Sequence, residues 1–173
     1  MKFTGNDNAT FTIIYEFNAP KKLVFEAFSN AEALGQWWGP FECQNTVISL
    51  DFRKGGTFHY KMEKDARVNY GRFLFGDIVP HDMLEFSNAF SDDKGKIIRA
   101  PFEVPLPIEI FYHLTFFESN GKTTITMTGT PIDASSDELK GMLSINPDMR
   151  RGFLATFQKL SDYISTLNTN LIK

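Results

Sequence analysis

Cysteine occurs once in this sequence, at Cys43. A lone thiol excludes an intramolecular disulfide and any multi-cysteine metal site, and it is compatible with a reducing cytoplasm. Basic charge is not in excess either: 18 Lys and Arg stand against 21 Asp and Glu, a net charge of −3. Without a basic footprint, nucleic acid is a poor partner. No stretch approaches the ~18 consecutive apolar residues that a membrane span needs. The opening MKFTGNDNATF lacks the apolar core of a secretion signal. Membrane insertion is therefore not expected, and the Asn8-Ala9-Thr10 sequon is read as chance. Repeats, low-complexity segments and linkers are missing too. A length of 173 residues suits one domain over 1–173, with a core of about 10–167 and short polar tails.

Catalytic signatures are equally scarce. The chain has no H-E-x-x-H, no C-x-x-C, no G-x-S-x-G, no Walker loop and no dinucleotide fingerprint. Lys54-Gly55-Gly56-Thr57 is too short to cradle phosphate and reads as a turn between strands. The three histidines, His59, His81 and His113, are far apart. His81 falls in a turn. His59 and His113 have the opposite strand parity to their apolar neighbours, so both are expected as surface imidazoles on a convex side rather than as metal ligands. Asp51 and Arg53 flank Phe52 and are expected to pair as a salt bridge. Arg72 and Glu85, on consecutive strands, are expected to form a cross-strand ion pair. No catalytic residue, no metal and no cofactor is expected.

What the chain does have is phenylalanine, 18 residues of it, beside only two tryptophans. Trp37 and Trp38 are adjacent in WWGP at 37–40. Neighbouring residues on a helix point in different directions, so the two rings are not expected to share one environment. One is expected to pack inward and the other at a rim or on the surface; the sequence does not say which.

Periodicity orders the elements. Phe11, Ile13, Tyr15 and Phe17 alternate as a strand over 11–17. Ala19-Pro20 opens a short helix with Val24 and Phe28 on one face. A second starts after Asn30 and stops at Gly39-Pro40. Strands are predicted over 45–52, 57–63, 68–79, 82–90, 108–118 and 122–130, with Asn120-Gly121 as a hairpin turn. The last third is helical. Ser135 and Glu138 have capping-box spacing, but Asn146-Pro147-Asp148 gives the stronger start signal. Beyond it Met149, Phe153, Phe157, Leu160, Ile164 and Leu167 recur at three and four, an amphipathic helix of roughly 20 residues. The segregated order implies α+β, a mostly antiparallel sheet curved around the long helix with an apolar space between.

The segments AP at 19–20, VFEAFSN at 24–30, WWGP at 37–40 and DFRKGGTFHYKM at 51–62 resemble those of a known family. So do GRFLFGDIVPHDMLEFS at 71–87, NGKTTITM at 120–127 and MRRGFLATFQKLSDYI at 149–164. The family is named for the activator of heat-shock protein 90 ATPase and lies within the START-like (SRPBCC) helix-grip superfamily. The resemblance covers nearly the whole chain. It implies a seven-stranded antiparallel sheet gripping a long C-terminal helix, with a cavity between and two short helices after the first strand. Relatives in the superfamily bind lipids, sterols, polyketides and plant hormones, and a few are cyclases or hydroxylating enzymes. The sequence departs from the family pattern where Phe153, not Trp, follows Gly152. It departs again in the Pro-rich IIRAPFEVPLPIEI at 97–110, which reads as a surface crossover or as a loop at the cavity rim.

The expected cavity lining is Trp37, Phe58, Tyr60, Phe73, Phe75, Phe86, Phe90, Tyr112, Met127, Phe153 and Phe157. Tyr60 and Tyr112 are the candidates to hold a ligand's polar group. A 300 Å³ apolar void would cost roughly 7 kcal/mol, so the space must be filled by aromatic side chains, by water or by a ligand. The expected function is non-catalytic binding of a small hydrophobic molecule by a cytoplasmic monomer or homodimer. A chaperone-associated factor and a cyclase-like enzyme are the alternatives.

Overall fold

The computed structural model describes residues 11–40 and 42–171, with the backbone alone for 168–171. The Asn8 sequon and the N-terminal segment read for a secretion signal lie outside them. The described residues form, in order, β1 (Phe11–Phe17), α1 (Lys21–Glu26), α2 (Ala31–Trp37), β2 (Gln44–Leu50), β3 (Thr57–Lys64), β4 (Arg67–Val79), β5 (Met83–Ser91), β6 (Ile110–Ser119), β7 (Lys122–Pro131) and α3 (Ser136–Leu171). The strands make one antiparallel sheet in the order β1-β7-β6-β5-β4-β3-β2. The fold is α+β, as the element order implies, and predicted strand borders differ from observed ones by no more than two residues.

Local chemistry sets the corners. Asn30 caps α2, its Oδ1 accepting from the Ala33 N–H at 2.8 Å. Asn120 and Gly121 both have positive φ, 53° and 74°, and join β6 to β7 with the twist a tight hairpin needs. Asp65 and Ala66 do the same between β3 and β4.

Strand parity then builds the interior. Phe58 and Tyr60 on β3, Phe73 and Phe75 on β4, Leu84 and Phe86 on β5, and Tyr112 and Leu114 on β6 are all buried on one face. Phe73 and Phe86 stack at 4.0 Å. Ile125 and Met127 on β7 and Phe11, Ile13 and Phe17 on β1 continue that face. Phe157, Leu160 and Ile164 of α3 pack onto it. Burying each such side chain stabilises the fold by about 1.5–3 kcal/mol.

The start of α3 differs from expectation. The helix begins at Ser136, and Pro147 lies inside it. The Ser135–Glu138 capping box is fully made: the Ser135 N–H donates to Glu138 Oε2 at 2.9 Å, and the Glu138 N–H donates to Ser135 Oγ at 3.2 Å. Proline removes one backbone hydrogen bond from the ladder, but tertiary packing retains the extra turns. Met142 is buried, and the backbone of the 97–109 crossover lies directly on Gly141, where a Cβ would overlap the Pro105 carbonyl.

Three side-chain readings also change. His59 points away from the interior as expected, yet it is only 7% exposed. The Asp92–Gly95 turn covers it, and its Nε2 lies 3.2 Å from the Asp92 carbonyl. Arg72 and Glu85 do not pair, because the register sets Arg72 opposite Ala89 and Glu85 opposite His113. Arg72 meets Glu109 at 3.7 Å instead, and Glu85 meets His113 at 3.0 Å. Asp51 and Arg53 do pair, at 2.8 Å, but in the turn after β2 rather than on a strand.

Candidate functional site: a cavity between sheet and helix

The face just described does not close everywhere. Between the β3–β5 end of the sheet and the middle of α3 lies a cavity of about 320 Å³ that opens to solvent. Trp38, Gly39 and Pro40 form one wall. Tyr60, Met62, Asn88 and Phe90 form the sheet side, and Met149, Phe153 and Thr156 the helix side. A second cavity of about 200 Å³ adjoins it, sharing Asn88, Phe90 and Met149. Phe102, Leu106 and Ile108 of the crossover, with Ile110, Tyr112, Met142 and Ile145, complete that second space. The Pro-rich segment is therefore a rim of the cavity as well as a surface crossover. Outside the main cavity, Lys64, Asp65, Arg67 and Cys43 line a charged vestibule that shares Pro40, Met62 and Phe90 with it.

Two glycines make the room. Gly71 sits opposite Tyr60 in the β3–β4 register. A Cβ there would overlap the Tyr60 ring and hydroxyl. Gly129 sits opposite Tyr112, and a Cβ there would come within 2.8 Å of its ring. Each tyrosine ring thus lies across a bare backbone, and the Tyr60 hydroxyl is held over Gly71.

Polar atoms are few. The Asn88 amide donates to the Tyr60 hydroxyl oxygen at 2.8 Å. The Trp38 Nε1 is buried beside that same oxygen, outside hydrogen-bond geometry, and has no partner. Thr156 Oγ1 donates to the Gly152 carbonyl at 2.9 Å. Burial pushes the Tyr60 phenol up, while Asn88 and the nearby indole pull it partly back. Burial pushes the Tyr112 phenol far above its ordinary value, and Tyr60 adds to that. Both are neutral at any ordinary pH. At the wall, Lys159 Nζ donates to the Gly39 carbonyl at 3.1 Å, and burial lowers its pKa. Among the described residues no three His, Cys, Asp or Glu side chains converge as a metal site, and no helix is long and apolar enough to cross a membrane.

The model of the family described as "Activator of Hsp90 ATPase homolog 1-like protein" matches residues 18–165. The chain belongs to this family. A solution structure of an Arthrobacter aurescens protein is 24% identical, with a TM-score of 0.77, and the match covers 92% of this chain and 88% of that one. A Mycobacterium smegmatis protein is 26% identical, TM-score 0.70, covering 93% and 91%. A Silicibacter pomeroyi protein that carries the family's name is 15% identical, TM-score 0.67, covering 91% and 98%. These likenesses bear on the fold. No curated protein matches the sequence.

In this family member the residues expected at the cavity fall into two groups. Tyr60, Phe90 and Phe153 line the main space and Tyr112 the adjoining one. Trp37, Phe58, Phe73, Phe75, Phe86, Met127 and Phe157 share the inner face but are packed solid beside it. Trp37 is wholly buried, and its Nε1 donates to the Ala27 carbonyl at 2.9 Å. The cavity tryptophan is Trp38, set edge-on to Phe73 at 4.9 Å. Sequence reading also missed Asn88, Met149 and Thr156. Asn88 had a signal, since it shares strand parity with Phe86 and Phe90. Thr156 shares the helical stripe of Met149 and Phe153.

Proposed function

We propose that this protein binds a small hydrophobic molecule in the cavity between its sheet and α3, without transforming it. One observation carries the reading: an open space of about 320 Å³ walled by Trp38, Met62, Phe90, Met149 and Phe153. Because the space opens to solvent, the alternative to a ligand is water rather than an empty void. Water fills it poorly, because a bound water needs two to four polar partners and the walls offer few. An apolar ligand answers that demand. The single thiol and the lack of a membrane-spanning helix among the described residues suit a cytoplasmic role for one domain of 1–173, as monomer or homodimer.

The test is a titration with N-phenyl-1-naphthylamine, a neutral dye that brightens in apolar surroundings. We expect saturable uptake at about one dye per chain and slower labelling of Cys43, which stands at the mouth. Unsaturable, weak uptake with unchanged labelling would contradict the reading. The family's description raises a chaperone-associated role as a second reading. The apolar side chains exposed on the crossover, Ile98, Phe102, Val104 and Ile108, support it as a partner surface. Association with a chaperone that survives filling of the cavity would favour that role. A cyclase-like reading would rest on a carboxylate beside Tyr60 or Tyr112, and the cavity side chains supply none.

A further inference from the structure

Resting on the cavity-binding reading, we infer that the ligand is an uncharged molecule carrying a carbonyl-type acceptor, and that Tyr60 donates the hydrogen bond that holds it. The argument starts from the Tyr60 oxygen. It already accepts from the Asn88 amide at 2.8 Å, and the unpartnered Trp38 N–H stands beside it. With the Asn88 amide donating to that oxygen, no acceptor among the described residues takes the Tyr60 proton. The O–H therefore turns toward the open space that Tyr60 lines. A hydroxyl that accepts hydrogen bonds is polarised into a stronger donor. Trp38 is 8% exposed overall, and its Nε1 is a buried donor left without an acceptor, an arrangement that costs stability until something satisfies it. A ligand oxygen drawing on the Tyr60 proton increases the negative charge on the phenol oxygen and draws the indole N–H to it.

The charge of the ligand follows from what is missing around the site. The side chains lining the main cavity include no Lys, Arg, His, Asp or Glu. Lys159 directs its Nζ to the carbonyls of Gly39 and Pro40, and Lys64 and Arg67 stand outside, in the vestibule. A carboxylate or phosphate brought here would lose its hydration with no counter-ion facing it, a heavy penalty. A ketone, ester, amide or quinone oxygen loses far less and is repaid by one strong donor. A purely hydrocarbon ligand would leave the Tyr60 O–H and the Trp38 N–H unmade.

Two neutral dyes of similar size separate these ideas: 6-propionyl-2-(dimethylamino)naphthalene, a ketone, and N-phenyl-1-naphthylamine, which has no carbonyl. Wild type is expected to bind both. Tyr60→Phe is expected to weaken the ketone about five- to tenfold, the worth of one hydrogen bond, and to leave the other dye within about twofold. Equal effects on the two dyes, or none, overturn the inference and leave the cavity reading standing. Binding of neither dye by wild type overturns both. Should Tyr60→Phe fail to fold, the infrared carbonyl stretch of the ketone bound to wild type decides. A shift to lower frequency than in hexane supports the donor, and an unshifted band overturns it.

Discussion

Trp37 and Trp38 are neighbours in sequence with opposite employment. Trp37 is a core residue with its N–H bonded to Ala27, and Trp38 is a cavity wall with its N–H unmade. Trp37→Ala should cost about 3–5 kcal/mol, as large aromatic deletions in cores do, read as a fall in chemical-denaturation midpoint. Trp38→Phe keeps the wall's volume nearly intact. It should leave the midpoint close to wild type and change dye affinity instead. Equal losses of stability from the two substitutions would contradict that division. The sequence reading expected one ring inward and the other at a rim without saying which, because the answer depends on where α2 stops relative to the sheet; in the fold the two rings still meet edge-on at 5.6 Å. Gly71 makes a sharper case at the same scale. Alanine there collides with the Tyr60 ring, so Gly71→Ala should force Tyr60 up into the cavity. Overpacking of this kind costs typically about 1–3 kcal/mol. Dye uptake should fall even at temperatures where the variant is fully folded; unchanged uptake would show that Tyr60 does not bound the site.

Among the elements, α3 is the one whose limits were misread, and the reason is physical. Asn146-Pro147-Asp148 is a sound local start signal, but Ser135 and Glu138 form a competing one upstream, and packing on the crossover favours the longer helix. The same cap makes the element sensitive to acid. The Ser135 N–H first, then Arg99 at 2.9 Å, hold the Glu138 carboxyl below its ordinary value. A depressed carboxyl stabilises the fold above the unfolded pKa near 4.5 and loses that contribution as pH falls through the folded value. Glu138→Gln should therefore lower the melting temperature at pH 7 and close the gap to wild type as pH drops below about 4. A gap that persisted at pH 3 would show that the cap acts through shape alone. The strands were far more legible than this helix. Alternation such as Phe58, Tyr60 and Met62 fixes which side chains share a face, whatever the partner strand. Cross-strand pairing is set by where the hairpin turns: with Val79 opposite Met83, Arg72 falls opposite Ala89, four positions from Glu85. The sequence reading placed the two on consecutive strands without counting back from that turn.

At the scale of the whole molecule, the sheet and helix were visible in the order of the elements and in the family resemblance, whereas the cavity's outline was not. The aromatic residues that dominate the sequence fill the end near α1 and α2, where Phe25, Phe28 and Phe116 meet edge to face. The open end is walled by a less conspicuous set, with Met62, Asn88, Met149 and Thr156 among them. Volume is a property of the assembled molecule: it records where side chains stop, and composition counts only how many there are. The central claim is that something apolar occupies this space. The most direct measurement is native mass spectrometry of the protein purified without detergent or organic solvent. The account predicts a fraction of chains carrying one small added mass, released on denaturation and displaced by N-phenyl-1-naphthylamine. Only the bare chain mass, with no dye taken up by that same preparation, would contradict it.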